Sequence, residues 1–210
     1  MNKQDLLIIF VKNPVKGEVK TRLAKTVGDE RALNVYIELL ERTRDISFGL
    51  SCSKAVFYSK EVIDIDMFEP SEYLKYEQEG EDLGERMMTA FQFAFSRHYE
   101  RVVLIGSDCY ELSAVQVEEA FRSLENNDVV IGPATDGGYY LIGMKKLFPE
   151  VFTDQAWSTS DLLLDTILDL KKNERKYTLL TTLSDIDTED DLKLFEKMLG
   201  HEDQRDHSNL

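Results

Sequence analysis

With 210 residues the chain is long enough for one well-buried domain and too short for two. Its 42% hydrophobic content is that of an ordinary globular protein, and no apolar run approaches the roughly 18–20 residues of a membrane span. The 40 acidic against 25 basic residues, a net charge of -15, argue against a nucleic-acid partner, because phosphate backbones are bound by excess Lys and Arg.

That charge is uneven. Between Lys3 and Lys25 stand Lys3, Lys12, Lys16, Lys20, Arg22 and Lys25 against only Asp5 and Glu18, a basic island that suits a small anionic ligand. No long apolar stretch follows Lys3, so no signal peptide is expected. Cys52 and Cys109, without any CxxC, make no disulfide framework, and a cytoplasmic location is the expectation.

Asp5–Lys12 reads as a short buried strand, apolar on both faces and ended by Asn13-Pro14. A polar loop with Gly17 follows, then a helix from Asp29 to Arg44 with Ala32, Val35, Leu39 and Leu40 on one face. Lys54–Ser59 and Tyr73–Glu77 are further strands. Leu83 to His98 is a helix whose Leu83, Met87, Phe91 and Ala94 stripe faces the core. Arg101–Gly106 is a buried strand, and Ser113 with Gln116 forms a capping box for a helix to Leu124. Strands Asp128–Gly132 and Tyr139–Met144 flank the Asp136-Gly137-Gly138 turn. A helix from Ser160 to Lys171, a strand Tyr177–Thr182 and a helix capped by Thr188 and ending at Leu199 complete the domain, residues 1–199. A disordered polar tail, 200–210, is expected after it. This alternation of strands and helices predicts a mainly parallel α/β sheet, covered on both faces as a three-layer αβα domain.

Ligands of such sheets bind beyond the carboxyl ends of the strands. Four segments fall there: Asn13–Arg22, Ser107–Leu112, Thr135–Tyr139 and Ser184–Asp187. In the first, Gly17 lets the backbone approach an anion, and Lys12, Lys20 and Arg22 offer cations for phosphate oxygens. It is neither a P-loop nor a GxGxxG. In the second, Asp108 follows a buried strand directly, the rigid placement a divalent metal needs, although an Asx-turn or a helix cap explains it equally. In the last, Thr188 caps the helix, Asp190 and Asp191 are structural, and Asp187 is the carboxylate able to face a metal. Asp136-Gly137-Gly138-Tyr139 is either a tight turn or backbone set close to a ligand, with Asp136 as general base. Trp157 either lines an acceptor pocket or packs half-buried.

Lys-x7-Lys-Thr-Arg, Gly-Ser-Asp-Cys, Gly-Pro-Ala-x-Asp-Gly-Gly-Tyr-Tyr-Leu-Ile-Gly, Trp-Ser-Thr and Asp-Ile-Asp-Thr-x-x-Asp-Leu occur in that order. From Leu6 to Leu199 the chain resembles the selenodomain-associated transferase family of the nucleotide-diphospho-sugar transferase (GT-A-type) superfamily. The resemblance implies a mixed, mostly parallel sheet between helices. It makes Lys20 and Arg22 phosphate-binding, with Lys20 also a catalytic group, and Asp108 and Asp187 ligands of Mg²⁺ or Mn²⁺. Gly137, Gly138, Tyr139 and Trp157 would line the acceptor pocket. Two departures stand out: Tyr110 replaces the usual Pro, which predicts a less rigid loop, and Glu189 replaces the Pro of the last helix's first turn.

The expected function is metal-dependent transfer from a nucleoside triphosphate or nucleotide-sugar to a small acceptor, with nucleotidyl transfer ahead of glycosyl transfer. A non-catalytic nucleotide- or partner-binding protein is the rival, and a homo-oligomer is allowed. Asp108 and Asp187 are expected to share one cation, which leaves the metal-free site strained by two facing carboxylates.

Overall fold

The computed structural model describes residues 2–157 and 159–206. In chain order the elements are β1 (Asn2–Val11), α1 (Thr21–Val27), α2 (Asp29–Phe48), β2 (Cys52–Tyr58), β3 (Leu74–Glu77), α3 (Leu83–Ser96), β4 (Arg101–Ile105), α4 (Ala114–Ser123), β5 (Val129–Pro133) and β6 (Tyr139–Met144). A 3-10 turn (Pro149–Val151), α5 (Leu162–Lys172), β7 (Tyr177–Leu179) and α6 (Glu189–Asp206) follow. The boundaries read from sequence agree to within a few residues, except for the last helix, which continues to Asp206, and for α1, which sequence reasoning did not propose.

The seven strands form one sheet in the order β3-β2-β1-β4-β6-β5-β7. β1 pairs in parallel with β2 and β4, β2 with β3, and β5 with β7, while β6 is antiparallel to both its neighbours. The sheet is therefore mixed and mostly parallel, as expected. β6 alone is reversed.

The period-two alternation of β1 divides the core. Leu7, Ile9 and Val11 face one side, where Tyr36 and Leu40 of α2 and Val117, Ala120 and Phe121 of α4 cover them. Leu6, Ile8 and Phe10 face the other, under Met87, Ala90, Phe91 and Ala94 of α3 and Leu170 of α5. Each fully buried Leu or Ile contributes about 1.5–3 kcal/mol of burial free energy, which is why strands apolar on both faces can only be central. Leu83, read as core, is instead 44% exposed at the start of α3. A smaller cluster joins Leu23 of α1 and Val35 and Leu39 of α2 to Ile186 and to Leu192 and Phe195 of α6. Through it α6 holds α1 in place.

β1, β2, β4, β5 and β7 end at one edge of the sheet, and β6 begins there. The chain leaves β1 for β2 and β3 on one side and returns to β4 on the other, which opens a crevice at the carboxyl ends of β1 and β4.

Candidate active site

All four segments singled out in the sequence reach that edge. The reason two of them meet is visible in the backbone. After β7 the chain runs beside the end of β5, with Leu183 N–H donating to Pro133 O (3.0 Å) and Thr135 N–H to Leu183 O (3.0 Å). It then crosses to the loop after β4, where Ile186 N–H donates to Asp108 O (3.1 Å) and Ser184 N–H to a Glu111 carboxylate oxygen (2.8 Å). Ile186 is buried inward, so Asp185 and Asp187 on either side of it turn toward the crevice. Thr188 and Asp191 close the turn: Asp191 accepts from the amides of Asp187 and Thr188 and from the Thr188 hydroxyl. Asp191 is the structural residue the sequence indicated.

Asp108 and Asp187 do come together, but around a lysine. Lys20 Nζ lies 2.9 Å from Asp108 Oδ1 and 3.0 Å from Asp187 Oδ1, so those two oxygens are within twice that distance of each other. The lysine side chain is 3% exposed, whereas both carboxylates are 40% exposed. Burial alone would depress the ammonium's pKa, yet the charges and hydrogen bonds of Asp108 and Asp187 hold it above the ordinary lysine value. This tempers the expected electrostatic strain, because the ammonium sits between the two carboxylates and offsets one of their two charges. Lys20 is the N-cap of α1 and sits in the left-handed region, φ 48° and ψ 41°, which L residues seldom adopt.

The remaining cations divide. Lys12 is exposed at the end of β1 and walls the crevice, its amide N–H donating to the Tyr36 hydroxyl at 2.7 Å. Arg22 is 69% exposed, 3.7 Å from Asp187. Lys12, Lys20, Thr21 and Arg22 line a recess of 100 Å³ beside Asp108 and Asp187. Gly17 is not in the crevice wall; the Asp29 carboxylate lies 3.8 Å from where a Cβ on it would stand.

The crevice has two lobes. One of 420 Å³ lies between the ends of β1 and β4 and the start of α3, walled by Lys12, Ser59, Gln78, Arg86 and Ser107. The other, of 280 Å³, is walled by Asp136, Gly138, Trp157, Thr159 and Leu162. Phe10, Leu83, Gly106, Asp108, Tyr139, Tyr140 and Asp185 border both lobes, so they form one continuous cleft. Asp136 accepts a hydrogen bond from Gly138 N–H at 2.9 Å, an Asx turn. Gly137 holds φ 92°, and a Cβ there would stand 2.0 Å from the Ser160 carbonyl oxygen, so only glycine lets this tip dock on the start of α5. Ser158, of the Trp-Ser-Thr motif, lies outside the described residues.

Asp185 was not singled out. Its carboxyl is pushed up to about 7, first by burial and next by the charge of Asp108, with Asp136 and Asp187 adding and Lys20 opposing. The sequence signal was the Asp-Ile-Asp alternation around a buried isoleucine. Tyr110 also departs from expectation: its ring meets Phe195 edge-on at 4.5 Å, with the Arg42 guanidinium 5.1 Å from its centroid. The loop after Asp108 is pinned to α2 and α6 by tyrosine, not loosened. Glu189 ion-pairs with Lys193 at 3.0 Å one turn on.

Among the described residues no trio of His, Cys, Asp or Glu is gathered closely enough to hold a metal unaided. Mg²⁺ and Mn²⁺ typically take one or two carboxylates plus substrate phosphates. The donor set Asp108 and Asp187 therefore fits a metal that arrives with a phosphate-bearing ligand. No helix among the described residues is long and apolar enough to cross a membrane.

Comparison with known proteins places the chain in a family and a fold. The profile of the family described as "Uncharacterized protein conserved in bacteria (DUF2064)" matches residues 50–159. No curated protein matches in sequence. Among solved structures, a protein assigned as a nucleotide-diphospho-sugar transferase from Desulfovibrio desulfuricans G20 superposes with a TM-score of 0.81 at 33% identity, over 89% of this chain and 83% of that one. The 4-diphosphocytidyl-2C-methyl-D-erythritol synthase of Anaerococcus prevotii DSM 20548 superposes with a TM-score of 0.59 at 14% identity, over 94% and 96% of the two chains. The inositol-1-phosphate CTP transferase of T. maritima gives 0.53 at 14% identity, over 93% and 95%. The last two likenesses show the fold alone, and the fold is the nucleotide-diphospho-sugar transferase and cytidylyltransferase one.

Proposed function

From a chain that belongs to the family described as "Uncharacterized protein conserved in bacteria (DUF2064)", we propose a metal-dependent transferase that moves a group from a nucleoside triphosphate or a nucleotide-sugar to a small acceptor. The observation that carries this reading is the two-lobed cleft whose lobes meet at Asp108 and Asp185. The larger lobe has the size and the Lys12 cation for a nucleotide, and the smaller has Asp136 and an indole wall for an acceptor. The likeness to the Desulfovibrio protein supports the same class.

In the nucleotidyl version an acceptor oxygen attacks the α-phosphorus, one phosphorus–oxygen bond forms and the bond to pyrophosphate breaks. Lys12 and Arg22 offset phosphate charge, and Asp136 takes the proton that the acceptor hydroxyl loses. Asp108 and Asp187 would hold Mg²⁺ or Mn²⁺, which supplies further charge neutralisation at the phosphates. What supports that supply is the charge balance of the site: Asp108, Asp136 and Asp187 all act on Asp185, and Lys20 is the buried cation opposing them.

One observation favours the glycosyl version, in which the acceptor attacks a sugar carbon and a nucleoside diphosphate departs. Lys20 is engaged by two carboxylates instead of standing free for a triphosphate. The test is a thermal-shift screen of nucleotides and nucleotide-sugars with Mg²⁺ or Mn²⁺, followed by product analysis on the hits. Pyrophosphate identifies the first version and nucleoside diphosphate the second. Binding without turnover across a broad acceptor panel would replace both with a non-catalytic nucleotide-binding role, and no binding at all would sink the proposal.

A further inference from the structure

We propose that Lys20 is a tethered counter-ion that occupies the Asp108–Asp187 pair in the free protein and keeps divalent metal out of it until a phosphate-bearing ligand draws the lysine away. This rests on the nucleotide-and-metal reading above, and it assigns to Lys20 a role in ordering the binding steps.

The geometry is that of an occupied cation site. The ammonium is 2.9 and 3.0 Å from one oxygen of each carboxylate. A divalent ion bound to the same two oxygens would stand within a few ångströms of a fixed positive charge, and like charges at that range in a partly dry site repel strongly. Metal and lysine therefore compete for the pair. The lysine does not leave without a new partner, because its side chain is 3% exposed and an unpaired ammonium there is costly.

A phosphate supplies that partner. The recess beside the pair is lined by Lys12, Thr21, Arg22 and Lys20 itself. An anion entering it meets two further cations, Arg22 being 69% exposed, and lies within a side-chain rotation of Lys20 Nζ. The backbone does not need to move: Lys20 O accepts from Ala24 N–H at 2.8 Å and stays the cap of α1. Lys20 holds a left-handed backbone, φ 48°, while its side chain reaches the pair. In the exchange the carboxylates trade a single positive charge for a double one, and the ammonium passes to a phosphate oxygen. Metal and nucleotide thus bind with positive coupling, each removing the obstacle to the other.

The experiment measures Mn²⁺ binding to the wild-type chain and to Lys20→Met by water-proton relaxation enhancement, which separates protein-bound from nucleotide-bound metal. Without nucleotide, Lys20→Met is expected to take one Mn²⁺ per chain at least tenfold more tightly than wild type. Mn²⁺ alone should raise its thermal midpoint while leaving that of wild type nearly unchanged. Adding an equimolar mixture of ATP, CTP, GTP and UTP should tighten Mn²⁺ on the wild type at least tenfold and on the variant far less. Should Lys20→Met not fold, Lys20→Gly serves, since glycine takes the left-handed backbone without steric cost. Equal nucleotide-free affinities in wild type and variant overturn the counter-ion role while leaving the transferase reading intact. If neither protein takes Mn²⁺ even with nucleotide, the metal-dependent reading falls, and this inference with it.

Discussion

Gly84 and Trp157 meet without slack: a Cβ on Gly84 would stand 2.5 Å from the indole and 2.5 Å from the Phe152 carbonyl oxygen. The second residue of α3 thereby fixes the wall of the smaller lobe, and the sign of a substitution reads out how firmly. Ala in a helix is favoured over Gly by about 1 kcal/mol, so a loose contact would make Gly84→Ala stabilising. The overlap predicts the reverse, a loss of about 1–3 kcal/mol in urea unfolding. Trp157 is the chain's single tryptophan, so its emission maximum reports displacement of that wall directly.

Asp187→Asn is expected to destabilise the metal-free protein by about 1–2 kcal/mol, the scale of a charged hydrogen bond lowered for partial solvent exposure. Two bare carboxylates would have gained from losing one charge. With Lys20 between them, the change leaves a buried ammonium on Asp108 alone. A midpoint equal to or above wild type in chemical denaturation would show that the lysine bridge does not stabilise the pair.

Asp185 predicts a pH dependence. Its folded pKa, about 7, exceeds the unfolded value, so between pH 4 and 7 the folded state binds more protons than the unfolded one. Stability is fully retained below the unfolded pKa and is lost as pH rises through 7. Asp185→Asn removes the ionisation and should be more stable than wild type at pH 8 by an amount on the order of 1–3 kcal/mol. The difference should shrink toward pH 4. Parallel denaturation curves for the two proteins at every pH would contradict the burial of this carboxyl.

Arg22→Ala should weaken nucleotide binding by about 1.5–3 kcal/mol in calorimetry and leave the thermal midpoint of the free protein unchanged. The side chain is 69% exposed and its contact with Asp187 is long, 3.7 Å, so it contributes little to folding. Unchanged affinity would remove it from the site.

Asp136→Asn should retain the turn, because an asparagine oxygen accepts from Gly138 N–H as the carboxylate does. A general base lost at this position should lower kcat about a hundredfold or more with little change in KM for the nucleotide. Loss of folding would instead assign Asp136 to the turn alone.

Strands were the legible part of this fold, because runs such as Leu6–Val11 are apolar on both faces and can only be central in a sheet. α1 was illegible for the opposite reason. It is seven residues long with Leu23 its one buried residue, so it carries no face of its own and is held by α2 and α6. The strand-end segments could be found from position, and Asp108, Asp136, Tyr139 and Trp157 all border the cleft. What could not be found was the partnership of Lys20, 167 residues from Asp187, or the elevation of Asp185 by burial and by the charges of Asp108 and Asp136 on two other loops. Both depend on which side chains share a dry space. Local pattern does not encode that.

The lone reversed strand, β6, makes the two sides of the cleft unequal in how freely they can change. The larger lobe is framed by crossover connections, where an insertion would have to be absorbed by a helix already seated on the sheet. The smaller lobe is framed by the tip of a hairpin, Ala134 to Gly138, which can lengthen outward while β5 and β6 keep their register. It is held at its base by Thr135 N–H donating to Leu183 O and at its end by the Gly137 contact with Ser160 and by Leu163 N–H donating to Gly137 O. In descendants of this scaffold, diversification is expected to concentrate in that tip and in the segment leading to α5, with the lysine-bridged end passed on unaltered.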